Sequence, residues 1–422
     1  MPDASPSSAA LTPTPDSERI VVLDILRGFA VLGILVVNME YFNTPFYTGA
    51  SGVERWTGTA DRVVEAVITF AALGKFYTLF SFLFGLGFAL QMTRANARSV
   101  PFVPLYVRRF CVLLLIGLAH TFLLWVGDIL TAYALLGFLL LLFRRRSDRS
   151  LLRWCVFFLV LPILINAALS GLIELSTLTP ESAAQVERNF VASAARYQAL
   201  TEQSFRVYAH GTFADIMAQR IEDFQFVILR YIFTGNGPHI FASFLFGFFV
   251  GRRGWMQALP TALSRIRSLM WWSLVIGVAA NTLFLISDVL SHPTRPSAMG
   301  ILRAAAFAAG APALSGFYVF ALILLVHRER GSKRFAPLAA VGRLALSNYL
   351  TQSLICTTIF YSYGFGLYGT VGPAVGLALT VGIWMLQLLV SRWWVKRFRY
   401  GPAEWLWRSL TYLKLQPMAI RP

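Results

Sequence analysis

Charged residues are scarce in this chain of 422 residues: they make up 14% of it, whereas hydrophobic residues make up 57%. An average soluble domain contains roughly 25% charged residues, so water is not the main solvent of this protein. Acidic residues are fewer than basic ones, and the net charge of +17 would suggest a nucleic-acid partner in a soluble protein. The cations lie in short loops beside apolar runs, however, which indicates a membrane protein that contacts lipids and binds no nucleic acid.

Cysteine and the common catalytic motifs are scarce as well. The three cysteines lie in apolar stretches without CxxC or histidine spacing, so neither a disulfide framework nor a metal site is expected. The sequence contains no P-loop and no HExxH or GxSxG motif, which argues against nucleotide hydrolysis. Residues 1–18 carry no Lys or Arg, so we expect a disordered, uncleaved cytoplasmic tail and no secretory signal.

Long apolar runs predict an all-α, polytopic transmembrane helix bundle, because about 20 apolar residues cross a bilayer as a helix. We expect about ten spans, near residues 21–42, 66–92, 105–126, 128–143, 151–175, 226–250, 267–287, 301–326, 343–361 and 373–391.

The Arg and Lys content of the loops alternates along the chain and sets the orientation. Residues 94–109, 144–153, 252–267, 328–343 and the tail from 392 hold 4, 5, 4, 5 and 7 of them. The intervening loops at 43–62, 126–131, 288–303 and 361–373 hold 2, 0, 2 and 0. The positive-inside rule therefore places both termini in the cytoplasm.

These spans divide the chain into an N-terminal transmembrane half (19–175), an external segment (176–225), a C-terminal half (226–391) and a basic cytoplasmic tail (392–422). The external segment has amphipathic helical stripes and could form a cap or a simple spacer. The pentapeptide SFLFG occurs at 81–85 and again at 243–247, in spans of the same direction. It indicates either a parallel duplication or a coincidence of abundant residues.

Ionisable side chains at membrane depth need a partner, water or a function, because a bare charge there costs at least ~2.5 kcal/mol. Asp24 and Arg27 are three residues apart on one helical face near the cytoplasmic end, and Asn38 and Glu40 follow towards the outer margin. Lys75 lies at a depth comparable to Glu40 and Asp128. We expect these carboxylates to neutralise the lysine. The resulting cluster could be a functional site, or it could be an ion pair that only holds helices together.

Two histidines are the candidates for acid–base chemistry. His120 and His239 each lie about twelve residues, or ~18 Å, from the cytoplasmic face, so they could face one cavity as general bases or serve as core side chains. The break at 235–238 precedes His239 and favours it as a site residue. Asn348 and Gln352 are i,i+4 neighbours in a polar stripe. This stripe could form part of a site, or it could make interhelical hydrogen bonds.

Five motifs resemble the YeiB-like bacterial membrane proteins, the domain-of-unknown-function family 418. They are LDILRGFA at 23–30 with Asn38, GKF at 74–76 with LFSFLFG at 79–85, GDIL at 127–130 with Tyr133, GRLALSNYLTQS at 342–353 and YGPAEWLWRSLT at 400–411. The resemblance covers nearly the whole chain and implies a multi-helix protein of the bacterial inner membrane.

The first motif also resembles the first helix of transmembrane acyltransferases, including the heparan-glucosaminide acetyltransferase group. That resemblance implies acyl transfer from a cytoplasmic thioester, such as acyl-CoA, to an acceptor beyond the membrane, with a histidine as base or acyl carrier. Asp24 and Arg27 would then organise the cytoplasmic mouth. Residues 43–62 contain no histidine where the acetyltransferase group carries its catalytic one.

Two functional hypotheses follow, besides a scaffold in which every polar group is structural. In the first, the chain is an acyltransferase with His239, His120 and Asp128 as catalytic residues and an envelope or extracellular acceptor. Its substrate-binding residues would be Asp24, Arg27, Asn38, Glu40, Lys75, Asn348 and Gln352. In the second, it is a small-solute transporter that uses the broken span and the possible duplication.

Overall fold

The computed structural model describes residues 20–51, 55–233, 236–256, 259–291, 295–328 and 331–420. These residues form α-helices and no β-sheet, with one isolated bridge between Phe398 and Ala419. The helices are α1 (Val21–Asn43), α2 (Thr48–Ser51), α3 (Thr59–Ala71), α4 (Lys75–Ala97), α5 (Phe102–Leu123), α6 (Leu130–Leu142), α7 (Asp148–Ser176), α8 (Pro180–His210), α9 (Phe213–Phe233), α10 (Asn236–Arg252), α11 (Leu263–Leu290), α12 (Ala298–Val326), α13 (Gly331–Arg334), α14 (Ala336–Arg343), α15 (Ala345–Phe360), α16 (Pro373–Trp394) and α17 (Pro402–Tyr412).

The all-α membrane architecture is confirmed. Among the described residues, 7 helical stretches are long and apolar enough to cross a bilayer: α1, α3 with α4, α5, α7, α11, α12 and α16. Three more of the expected spans are the shorter helices α6, α10 and α15. The count of ten spans and the cytoplasmic location of the termini stay predictions, and the tail at 1–18 lies outside the described residues.

The lipid-facing surface is formed largely by α7 and α11. In the apolar 18-residue segment of each helix, only 11% of α7 and 17% of α11 is buried inside the protein. Their exposed side chains are large and hydrophobic, including Trp154, Phe157, Leu164, Trp271, Trp272 and Val275. Such a surface is stable only in hydrocarbon, and it encloses a core formed mainly by α1, α4, α6 and α10.

The two SFLFG segments pack against each other in the core. A Cβ atom on Gly85 of α4 would lie 1.9 Å from the carbonyl oxygen of Phe244, and one on Gly247 of α10 would lie 2.0 Å from that of Phe82. Glycine is therefore required for this close approach of the backbones. The numbers of equivalent positions in the two segments differ by 162, so Phe82 is equivalent to Phe244. Each glycine contacts this phenylalanine of the other segment, and the contacts are therefore reciprocal. The repeated pentapeptide thus marks a local two-fold pairing of parallel helices.

The segment 176–225 forms most of a helical hairpin, α8 and α9, at the end of the bundle opposite the arginine-rich loops. Within it, the Tyr208 hydroxyl donates to Asp223 Oδ2 at 2.6 Å. The fully buried Arg220 of α9 donates to the carbonyl oxygens of Phe122 at 2.9 Å and Leu124 at 2.6 Å. These carbonyls end α5, where a cation is favourable, so Arg220 fastens the cap hairpin α8–α9 to the bundle.

The break before His239 divides the chain differently from the expected span 226–250. Helix α9 continues to Phe233, and α10 begins only at Asn236. The cap hairpin therefore extends beyond residue 225, and α10 has 17 residues. Gly235, the first residue of the expected break, lies outside the described residues.

Candidate functional site

His120, Asp128 and Ser353 form a continuous hydrogen-bonded chain. His120 Nδ1 lies 2.9 Å from Asp128 Oδ1, and His120 Nε2 lies 2.8 Å from Ser353 Oγ. An ionised Asp128 accepts the proton of Nδ1, which leaves Nε2 as the acceptor for the serine hydroxyl. This order of groups is that of a nucleophile, a general base and a carboxylate that orients the base.

Local structure at the end of α5 explains the first pair. The amides of Leu124 and Trp125 both donate to the carbonyl oxygen of His120, which closes the helix there. The following turn places Asp128 so that its second carboxylate oxygen accepts from the Thr131 amide, at 2.6 Å, in the first turn of α6. The carboxylate is therefore held at both oxygens and cannot rotate away from His120.

A glycine lets this turn approach α5. A Cβ on Gly117, one turn before His120, would lie 2.6 Å from the Thr131 amide nitrogen and 3.1 Å from Asp128 Oδ2. Any side chain at this position would push the turn and its carboxylate away from the imidazole.

Helix α15 brings the serine from the other part of the chain. Ser353 lies one turn beyond Tyr349, whose ring centroid is 5.2 Å from that of His120. The Tyr349 hydroxyl accepts from the Ile129 amide at 3.4 Å, so the same helix contacts both His120 and the Asp128 turn. Ser353 and His120 are 233 residues apart in sequence, and only tertiary packing joins them.

The triad is closed to solvent. Ser353 is 0%, His120 2% and Asp128 5% exposed. The buried indole of Trp125 packs beside His120 at a ring distance of 6.4 Å, and Arg220 of the cap hairpin α8–α9 holds the end of α5 just beyond it. The Ser353 hydroxyl is therefore out of reach of a substrate in this conformation.

Two other polar side chains of α15, Asn348 and Gln352, join this helix to α16. Gln352 donates to Gln387 Oε1 of α16 at 2.8 Å, and Asn348 donates to Ser391 Oγ at 3.0 Å. Gln387 in turn donates to the carbonyl oxygen of Asn348 at 2.9 Å. These bonds favour interhelical hydrogen bonding over a substrate site for Asn348 and Gln352.

Asp24 and Arg27 form the expected ion pair at the arginine-rich end. Arg27 Nη1 lies 2.8 Å from Asp24 Oδ1, with side chains 32% and 8% exposed respectively. Helix α1 crosses α14 closely here, since a Cβ on Gly342 would lie 1.8 Å from the Asp24 carbonyl oxygen. The pair lies near the arginine-rich end of the bundle, whereas His120 of the triad lies in the last turn of α5, at the other end.

The expected cluster of Lys75 with Glu40 and Asp128 does not form. Lys75 Nζ donates to the Thr69 carbonyl oxygen at 3.0 Å, and no described carboxylate lies within 4.0 Å of it. Because α4 begins just after Gly74, which has a φ of 86°, the side chain reaches back to the last turn of α3, where carbonyls accept a cation. Asp128 is engaged by His120.

Glu40 and Asn38 lie towards the cap end of α1. Glu40 is exposed and lines an outer cleft with Trp56, Glu65 and Gly372. Asn38 is half-buried, and no hydrogen bond of its side chain is found within the described ranges. The structure thus brings neither residue to the triad.

His239 lies apart from His120, and the structure does not bring the two imidazoles together. Its ring lies 6.0 Å from Tyr77 and 5.3 Å from Phe307 by ring centroids. It is 2% exposed, and its Nε2 has no hydrogen-bond partner among the residues that the structure describes. Helix α10 directs it to α4 and α12, away from the end of α5.

Within the described residues, no group of three or more His, Cys, Asp or Glu could hold a metal ion. Sequence reasoning did not single out Ser353, the last residue of the GRLALSNYLTQS motif at 342–353. The available signal was its i+4 spacing from Tyr349 on a face that also carries Gln352, but that spacing cannot tell a nucleophile from a helix contact.

Comparison with known proteins identifies relatives along the full chain. The family described as protein of unknown function (DUF418) matches residues 250–414. Uncharacterized protein YxaH of Bacillus subtilis (strain 168) is 38% identical over 430 residues, which cover 97% of this chain and 98% of the relative. Uncharacterized protein YeiB of Escherichia coli (strain K12) is 30% identical over 419 residues, with 93% and 96% covered.

Proposed function

The chain belongs to the YeiB-like DUF418 family of helical membrane proteins, and from the site described above we propose that it is a membrane-embedded acyltransferase with Ser353 as its nucleophile. The observation that supports this is the bridging position of His120, at 2.8 Å from the serine oxygen and 2.9 Å from Asp128. Any buried histidine needs a hydrogen-bond partner on each ring nitrogen. Here the two partners are a serine hydroxyl and a carboxylate, which are the groups that nucleophilic catalysis by a serine requires.

In the first half-reaction, Ser353 Oγ attacks the carbonyl carbon of an acyl thioester, and its proton passes to His120 Nε2. Asp128 stabilises the imidazolium that forms. The carbon–sulfur bond then breaks, and the departing thiolate takes the proton from His120. The products are a free thiol and an acyl ester on Ser353.

In the second half-reaction, an acceptor hydroxyl gives its proton to His120 and attacks the ester carbonyl carbon. The bond to Ser353 Oγ breaks, and His120 returns the proton to the serine. The acceptor leaves as an ester, and the triad is restored.

The donor and the acceptor reach the triad from opposite ends. Helix α15 begins at the arginine-rich end, which we assign to the cytoplasm of the bacterial inner membrane, where an anionic donor such as acyl-CoA would meet Arg27 and Arg343. His120 lies in the last turn of α5 beneath the cap hairpin α8–α9, on the side of an envelope acceptor. Since the triad is buried, opening between α5 and α15 must precede acylation.

The test labels the nucleophile directly. Purified protein is treated with a fluorophosphonate, which phosphonylates activated serines, and separately with radiolabelled acyl-CoA. We expect both labels on Ser353, loss of both in Ser353→Ala, and a fall of about 10²–10⁴-fold in labelling rate in His120→Gln. Thr357→Ala, one turn further along α15, is the matched control, because the Thr357 hydroxyl contacts only its own helix, at Leu354.

Two results would overturn the proposal. One is wild-type protein that takes neither label. The other is equal labelling of Ser353→Ala and the wild type, which would place the reactive group elsewhere.

A second candidate function is transport, favoured by the reciprocal packing of the two SFLFG segments. Paired, duplicated helices occur in transporters built from parallel repeats. Solute uptake into vesicles that falls when Lys75 and Asp128 are both neutralised would support transport. Uptake that is unchanged in that double variant would exclude a role for these residues in a conducting path.

A further inference from the structure

The N-termini of α4 and α10 lie side by side. The SFLFG register equates residue 81 with residue 243, so Lys75, the first residue of α4, is equivalent to Gly237, next to the first residue of α10. Contacts confirm that the two ends are level: the rings of Tyr77 and His239, which are equivalent positions, meet at 6.0 Å and 89°. The Tyr77 hydroxyl also lies 3.5 Å from Asn236 Oδ1.

Both helix starts contribute positive charge to the same region. The first amides of a helix have no intrahelical acceptor, and each N-terminus is equivalent to about half a positive charge. Two parallel helices add these fields, and Lys75 is the first residue of α4, with its ammonium turned back to the Thr69 carbonyl oxygen of α3. Within the described ranges, no carboxylate lies within 4.0 Å of Lys75 or His239 to compensate them.

His239 supplies the second feature of this region. Its Nε2 is buried without a partner in the first turn of α10, and the residue is 2% exposed. The ring lies between Tyr77 and Phe307, and the Phe307 ring also covers Gly74, where a Cβ would lie 2.6 Å from it. His239 therefore lies beside the start of α4 as well as in α10. A buried nitrogen without a partner carries its full desolvation penalty unless a ligand supplies the bond.

We propose that the paired N-termini of α4 and α10, together with His239, form a binding site for an oxoanion, a phosphate or carboxylate group. The anion accepts a hydrogen bond from His239 Nε2–H and from first-turn amides, and it offsets the two helix fields and Lys75. Tyr77, Asn236 and Gly237 are half-buried and form the rim through which it enters. The site lies apart from the triad, and its occupancy does not depend on acyl transfer.

The group could belong to an anionic lipid headgroup or to a soluble anion, and one titration separates these sources. Purified protein with ¹³C-labelled histidine, in neutral detergent, is titrated with inorganic phosphate and, separately, with dihexanoylphosphatidylglycerol. The His239 signal is identified by its absence in His239→Gln. We expect it to shift saturably, and the Tm of the wild type to rise by about 3 °C at roughly 100 times the Kd.

The exposed His327, at the arginine-rich end, is the internal control and should not shift. A response to the lipid alone identifies a headgroup, and a response to both probes identifies a free oxoanion. The proposal is overturned if neither probe shifts His239, if His327 shifts equally, or if His239→Phe keeps the full rise in Tm. Should His239→Phe fail to fold, the wild-type titration with its internal control still decides.

Discussion

Alanine at Gly85 should separate α4 from α10. Its Cβ would lie 1.9 Å from the Phe244 carbonyl oxygen, whereas ordinary contact begins at 3.4 Å, so the backbones must move apart by about 1.5 Å. Overpacking of this kind costs about 1–3 kcal/mol. Gly87→Ala is the matched control on the same helix, since nothing lies within 4 Å of its Cβ. Helix propensity should stabilise that variant by about 0.5–1 kcal/mol. We therefore expect the two variants to differ by about 1.5–4 kcal/mol.

The assay is reversible unfolding in mixed micelles, followed by tryptophan fluorescence. Gly247→Ala should be destabilised like Gly85→Ala, because its Cβ would lie 2.0 Å from the Phe82 carbonyl oxygen. The double variant should lose less than the sum, since helices already separated by one methyl group accommodate the second. Equal stability of Gly85→Ala and Gly87→Ala would refute the close pairing, and strict additivity would refute its reciprocity.

Three further outcomes concern side chains at the two ends of the helix bundle. Arg220→Met leaves two partly buried carbonyls at the end of α5 without their donor, at about 1–3 kcal/mol each, so hydrogen exchange in the cap hairpin α8–α9 should accelerate, whereas exposed Arg188→Met should have no effect. Burial raises the pKa of Asp223 from 3.8 to about 6, so the folded cap binds this proton more tightly than the unfolded chain. Cap stability should therefore be highest below pH 3.8 and fall as the pH rises through about 6, and Asp223→Asn should flatten that dependence in thermal unfolding. Ser347→Ala removes the hydroxyl that donates to Glu404 at 2.5 Å, so the C-terminal helix α17 should become more sensitive to limited proteolysis.

Hydropathy and loop charge were sufficient to predict the helical membrane architecture, because bilayer thickness and backbone hydrogen bonding leave few alternatives. The paired Asp24 and Arg27 were also accessible, since their spacing alone places them on one face. The predicted partners of Lys75 were wrong because the sequence encodes the depth of this residue but not the direction of its side chain. Gly74, which has a positive φ, turns the backbone so that Lys75 reaches back to α3.

The triad could be predicted only in part. His120 and Asp128 are 8 residues apart and share a turn, so a local contact was within reach. Ser353 was not, because polar residues lie on all sides of α15 and its rotation is set by packing against α16 through Gln387 and Ser391. Distant contacts of this kind depend on helix rotation, which such a pattern does not specify.

The pairing of α4 with α10 has a consequence for biosynthesis. The two halves of this interface are 162 residues apart, and at about 5–20 residues per second a ribosome needs roughly 8–30 s to make that stretch. During this interval Gly85 leaves an unfilled groove on α4, open to lipid or to the insertion machinery. The nascent chain must therefore be protected until its second half arrives, and its yield should depend on membrane chaperones and quality-control proteases more than that of a protein whose neighbouring spans pair in order.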